Sequence, residues 1–206
     1  MHQEAITSEA KKVFEKLNKF SDFYLVGGTG LALQLGHRIS VDFDFFWGKE
    51  IPKGLLSKLR KVFKDFKIQV VINHSEQLTV TINGINISFI KYSFPVISKF
   101  IEYQGVKILP APEIAAMKAY ALGQRATLKD YVDLYFVLKE KATTLKEIIS
   151  LCEKKYSQEF NTRLFLEQLI YSEDIEEIEI QFLKEKVGRS QIEKFFEQKI
   201  RKINLI

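Results

Sequence analysis

The stretch Leu25–Phe46, LVGGTGLALQLGHRISVDFDFF, leaves this chain the least freedom. Phe23–Val26 reads as an apolar strand closed by Gly27 and Gly28. Two adjacent glycines let the backbone take positive φ and leave no Cβ between the chain and a ligand. Thr29–Leu35 is short and apolar, and Gly36 follows it as a helix stop. Val41–Phe46 returns to β-type sequence. Side chains alternate along a strand, so Asp42 and Asp44 are expected on one face, roughly 7 Å apart. Val41, Phe43 and Phe45 are expected on the other, toward a core. Two carboxylates on one face repel each other and resist desolvation. A hard cation such as Mg²⁺ relieves both, because it takes one or two carboxylates together with substrate phosphates. The diglycine turn offers N–H groups for those phosphates. The plainer reading is an edge strand whose acids sit in water. The glycine pair, the cationic His37-Arg38 and the aromatic Phe45-Phe46-Trp47 weigh toward a metal–phosphate site.

A second block lies downstream. Pro112–Arg125 reads as a helix, and Lys118 and Arg125 share a face if it is continuous. Leu128–Lys139 reads as the next helix and carries Asp130 and Asp133. Asp133 stands in a nearly apolar run and is expected to be buried, where it needs a cation; Arg125 or Lys118 is the natural partner. Thr127 to Asp130 also has the spacing of a helix-start capping box, with Thr127 as the cap.

The remaining pattern sets the architecture. Glu4–Phe20 has helical spacing, and a further helix follows Pro52. Ile68–Ile72, Leu78–Ile82 and Ile85–Ile90 are β-branched runs, the last two joined by the hairpin signal Asn83-Gly84. Gly105–Leu109 is a further short strand. Tyr92–Gln104 fits either a loop with a short helix or an edge strand. Beyond Pro110 the β-type sequence gives way to helices, at Leu145–Tyr156, Arg163–Tyr171 and Gln191–Asn204 besides the two above. The expected fold is therefore α+β: a small mixed β-sheet flanked by helices over residues 1–109, then a C-terminal helical bundle over 110–206 that closes the site. Glu173–Glu177 is a local acidic run, read as a solvated loop or helix end.

Composition narrows the partners. A single cysteine, Cys152, excludes an internal disulfide, and with no apolar signal core at the N-terminus it points to the cytoplasm. No segment approaches the length needed to cross a bilayer. The net charge of +5 and pI near 9.1 suit a polyanionic partner such as RNA.

Gly27–Phe46 resembles the first motif of the AbiEii/AbiGii-type nucleotidyltransferases. These belong to the DNA polymerase β-like superfamily and include toxins of bacterial toxin–antitoxin systems. Lys118–Leu134, K…R…KDxxDL, resembles the family's second block, which supplies a catalytic lysine and an acid that close the nucleotide site. The resemblance implies transfer of NMP from an NTP bound with Mg²⁺ or Mn²⁺. Asp42 and Asp44 are then the metal ligands and, with Lys118 and Asp130, the catalytic set, with Asp130 favoured over Asp133 as the functional acid. Gly27, Gly28, Thr29, His37, Arg38, Ser40, Arg125 and Asp133 are the expected nucleotide-binding residues. For Arg38 the competing reading is a pair with Asp42 or Asp44, and for His37 a helix end.

Many superfamily members carry a third carboxylate on a neighbouring strand, where this chain has Asn86 and Ser88. Either the helix acids substitute for it, or Lys118, with its pKa lowered by burial and nearby cations, serves as base, or catalysis is weak. The acceptor implied by the family is an RNA, foremost a tRNA 3′ end, with Lys194, Lys199, Arg201 and Lys202 as candidate contacts and an antitoxin as a possible protein partner. An inactive nucleotide-binding module and a small-molecule adenylyltransferase are the alternatives. A Walker-type NTPase and a Rossmann oxidoreductase are disfavoured by the absence of GxxxxGK[ST] and GxGxxG.

Overall fold

A computed structural model describes residues 1–172 and 175–203. Glu173 and Asp174 of the acidic run, and Asn204 at the expected end of the last helix, lie outside the described residues.

A 3-10 turn at Gln3–Ala5 precedes α1 (Ser8–Leu17). Thr7 sets the start of α1, accepting the Ala10 N–H at 3.2 Å, so the helix is shorter than the periodicity from Glu4 to Phe20 suggests. The strands are β1 (Tyr24–Val26), β2 (Phe43–Trp47), β3 (Ile68–His74), β4 (Gln77–Ile82), β5 (Ile85–Lys91), β6 (Ile101–Tyr103) and β7 (Val106–Ile108). The helices α2 (Gly27–Leu35) and α3 (Leu55–Val62) lie among them. After β7 come α4 (Ala111–Leu122), α5 (Leu128–Lys139), α6 (Leu145–Tyr156), α7 (Thr162–Ile170) and α8 (Arg189–Arg201).

The strands form one mixed sheet in the order β3-β4-β5-β2-β1-β7-β6. β2 runs antiparallel to β1 and parallel to β5, so it sits at the centre. Asn83 and Gly84 both take positive φ, 47° and 84°, as a tight hairpin turn between β4 and β5 requires. The ambiguous stretch Tyr92–Gln104 contains the edge strand β6. Its irregular part is held by wholly buried charges. The Glu113 carboxylate accepts the N–H groups of Ile97 at 3.0 Å and Ser98 at 2.7 Å, and Lys155 lies 2.7 Å from it.

Alternation along the strands divides the interior. Leu25, Phe43, Phe45, Ile87 and Phe89 face α1 and α3, while Tyr24 and Val26 join Leu31 and Leu35 of α2 against the helices from α4 onward. Cys152 is part of this second core, and burial pushes its thiol pKa up. Among the described residues no helix is long and apolar enough to cross a membrane.

Candidate active site

The chain leaves β1 at Val26 and turns at Gly27, whose φ is +67°, directly into α2. Both glycines of the turn are in tight quarters. A Cβ at Gly27 would stand 2.6 Å from Asp44 Oδ2, and one at Gly28 would stand 2.5 Å from Arg38 Nη2. Only glycine therefore lets the Asp44 and Arg38 side chains come so close to the backbone of this turn. Val26 provides no side-chain cap, so the first N–H groups of α2 are left for another acceptor. Thr29 is buried, and its hydroxyl is already committed to the Ser40 hydroxyl at 2.8 Å and to the Asp42 carbonyl. What Thr29 can still offer a phosphate is its N–H.

The sheet's central strand holds one of the paired acids. β2 begins at Phe43, so Asp44 lies within it and Asp42 stands exposed at its entrance. Val41, expected to point into the core, is 36% exposed for the same reason. Burial raises the Asp44 pKa, and the charge of Asp42 adds to this, against the opposing pull of Lys118 and Arg125. Both effects make this carboxylate a poorer anion than it would be beside a cation. The pair therefore fits a divalent metal that takes the rest of its shell from phosphates and water. Among the described residues no group of three or more His, Cys, Asp or Glu side chains is arranged to hold a metal.

Facing them is a buried charge cluster centred on Asp133. Gly36 ends α2 in the left-handed conformation, and the next residues run extended beside 181–183, with Ile39 N–H donating to the Gln181 carbonyl at 2.8 Å. This turns His37 and Arg38 inward. His37 Nε2 lies 2.6 Å from Asp133 Oδ1. Arg38 donates from Nε to the same oxygen at 2.7 Å and from Nη2 to Oδ2 at 2.9 Å. Lys118 Nζ lies 2.7 Å from Asp133 Oδ2 and 2.8 Å from Asp130 Oδ1. Arg38 therefore pairs with Asp133, not with either acid of the strand.

Burial alone would raise the Asp133 pKa, but Arg38 and Lys118 outweigh it and hold the group well below the carboxylate range. Lys118 is the mirror case: burial would lower its pKa, but Asp133 and Asp130 outweigh burial and raise it. The direction is opposite to the lowered pKa expected of a lysine poised as a base. Two of the three Lys118 N–H groups serve the acids, which leaves one for a substrate.

α4 ends at Leu122, so Arg125 is not on the helix with Lys118 but in the turn before α5, where it is exposed. It is not a partner of Asp133. Nor do Thr127 and Asp130 form the expected capping box. The Thr127 hydroxyl donates to Asp130 Oδ2 at 2.8 Å instead of capping the helix, which leaves Oδ1 for Lys118. Gly27, Asp44 and Phe46 on one side, with Lys118, Arg125 and Asp130 on the other, enclose a cleft of about 150 Å³. Beside Asp44 on β5 stands Ser88, flanked by Asn86 and Ile90, so no acid occupies the neighbouring strand there.

Sequence spacing missed the bond between His37-Arg38 and Asp133 because 95 residues separate Arg38 from its partner. The usable signal was burial: an arginine after an apolar helix and an acid within an apolar run each need an opposite charge.

The chain has relatives among known proteins. A family model described as nucleotidyl transferase AbiEii toxin, type IV toxin–antitoxin system, matches residues 12–203. The uncharacterized protein aq_aa25 of Aquifex aeolicus (strain VF5) is 32% identical over 201 residues, 95% of this chain and 96% of that protein. Among solved structures, MenT4, a nucleotidyltransferase toxin of Mycobacterium tuberculosis H37Rv, superposes with a TM-score of 0.60 at 15% identity, over 96% of this chain and 84% of its own. JHP933 of Helicobacter pylori gives 0.51 at 19% identity, over 80% and 74%. At these identities the two structures speak for the fold.

Proposed function

Because the chain belongs to the AbiEii family of nucleotidyl transferase toxins, we propose that it moves a nucleoside monophosphate from an NTP to an RNA, foremost a tRNA 3′ end. The observation that carries this reading is the Asp133 cluster. It fixes Lys118 in a cleft whose opposite wall is Gly27 and Asp44, and holds Arg38 against Gly28 at the uncapped start of α2.

In this reading the triphosphate lies along the start of α2, on the N–H groups of Gly27, Gly28 and Thr29. The unused N–H groups of Arg38 and Lys118 complete the cradle. Asp42 and Asp44 would hold Mg²⁺ or Mn²⁺, which when bound supplies charge neutralisation at the α-phosphate. Asp130 and Asp133 keep Lys118 charged and aimed, and His37 braces Asp133. Ser40, hydrogen-bonded to Thr29, borders the phosphate cradle, and Arg125 meets the nucleotide from the α4–α5 turn. The acceptor hydroxyl oxygen bonds to the α-phosphorus, the bond to the β-phosphate oxygen breaks, pyrophosphate leaves, and the hydroxyl proton passes to water. The net charge of +5 and the basic end of α8 support a polyanionic acceptor; in this reading the protein acts in the cytoplasm under the control of an antitoxin.

The test is to incubate the protein with total tRNA, Mg²⁺ and each α-labelled NTP in turn, with Asp42→Ala as control. Label on RNA that disappears in the variant is the expected result. NTP binding with no transfer to RNA, or transfer to small acceptors alone, overturns the assignment.

A further inference from the structure

We propose that Ser88 holds the acceptor: its hydroxyl donates a hydrogen bond to the attacking oxygen at the flank of Asp44 opposite the glycine turn. The inference rests on the nucleotidyl-transfer reading and extends it to the acceptor side. Asp44 pairs with Val26 on one side and with Ser88 on the other. Paired residues on adjacent strands project to the same face about 5 Å apart, so Ser88 and Asp44 share one face. The triphosphate lies on the β1 side, at Gly27 and α2, so pyrophosphate departs there. In-line displacement brings the incoming oxygen from the other side, over β5, where Ser88 is half-exposed and Asn86 is exposed.

The hydrogen bonds behind Ser88 fix what it can do. Gln77 Nε2 donates to Thr79 Oγ1 at 3.0 Å, and Thr79 Oγ1 donates to Ser88 Oγ at 3.1 Å. The chain ends on an amide N–H, which has no lone pair to take a proton. Ser88 therefore cannot act as the base that a carboxylate at this position would be. With Ser88 Oγ accepting from Thr79, its own O–H is left to donate. A donor there orients a lone pair of the acceptor oxygen on the α-phosphorus while the acceptor proton leaves to water. Thr79 and Gln77 act through Ser88 as positioning residues.

The experiment compares wild type with Ser88→Ala, Ser88→Thr and Ser88→Asp, using labelled NTP, total tRNA as acceptor probe, and calorimetric NTP binding with Mg²⁺. Ser88→Ala is expected to lose roughly tenfold in transfer at limiting tRNA, the scale of one hydrogen bond, with NTP affinity unchanged. Ser88→Thr, which keeps the donor and suits a strand, is expected to recover most of the rate. Ser88→Asp is expected to fall below wild type. Transfer by Ser88→Ala equal to wild type, or a Ser88→Asp that outpaces wild type because the site wants a base, overturns this inference alone. A wild-type protein that binds NTP and labels no tRNA overturns it together with the reaction assigned above.

Discussion

A carboxyl group whose pKa is raised in the native state binds its proton more tightly folded than unfolded, and Asp44 is such a group. The sign follows from linkage. Stability falls as pH rises from the ordinary value of 3.8 through the raised one, and above that the ionised group is a standing cost. Asp44→Asn removes the charge with almost no change of shape. It is expected to abolish transfer and yet raise the melting temperature at pH 7 by a few degrees, on the usual scale for about 1 kcal/mol. The gain should vanish below the ordinary carboxylate pKa. Mg²⁺ should raise the melting temperature of wild type, chelator should reverse it, and the variant should respond to neither. A variant no more stable than wild type, or one equally sensitive to Mg²⁺, contradicts this. Asp133 has the opposite sign, because its cations lie within hydrogen-bonding distance and hold its pKa down. Sequence could say that Asp133 is buried and needs a cation, and Lys118 was within reach of helical spacing. It could not say that Arg38 comes too, since chain contacts across the fold decide that.

At the scale of elements, the legible parts are those whose signal is local. The Asn83-Gly84 hairpin, the β1–turn–α2 unit and the helices after Pro110 each follow from turn chemistry or periodicity within a few residues. The boundaries that moved did so for local reasons as well: both glycines open α2, Gly27 making the turn from β1 with its positive φ, and α4 stops at Leu122 before a Gly123 cap. The stretch 92–100 was illegible because it has no period of its own. It is tied down by Glu113 and Lys155, whose side chains are wholly buried, and it sets Tyr92 against Phe46 at the cleft, with ring centroids 4.5 Å apart. Removing one charge of such a pair strands the other, which typically costs about 3–5 kcal/mol, whereas replacing both by apolar residues can be near neutral. Glu113→Gln and Lys155→Met are each expected to destabilise on that scale. The double variant Glu113→Leu/Lys155→Met should recover much of the loss in denaturant melts. A double variant as unstable as the sum of the singles would show that the pair does not act as a unit.

Over the whole molecule, the division at residue 109 read from the change of sequence character meets a core that crosses it. Tyr24, Val26, Leu31 and Leu35 pack with Ile114, Leu134 and Phe136 in one cluster, and Arg38 finds its counter-charge on α5. Cutting the chain at 109 would expose that apolar face and leave a buried guanidinium without its carboxylate, so residues 1–109 and 110–206 are proposed to fold as one cooperative unit. The chain supplies its own reporters. Its single tryptophan, Trp47, ends β2 in the first part, while most of the helix that far-UV circular dichroism sees lies in the second. Tryptophan fluorescence and circular dichroism should therefore give the same midpoint on thermal or denaturant unfolding. A fragment of residues 1–109 should melt without a sigmoidal transition and bind a hydrophobic dye. Midpoints that separate, or a fragment that unfolds cooperatively alone, would mean that the helical half closes over a finished domain. In that case the cluster around Asp133 forms on docking, and Lys118 would reach Asp130 and the cleft only in the docked state.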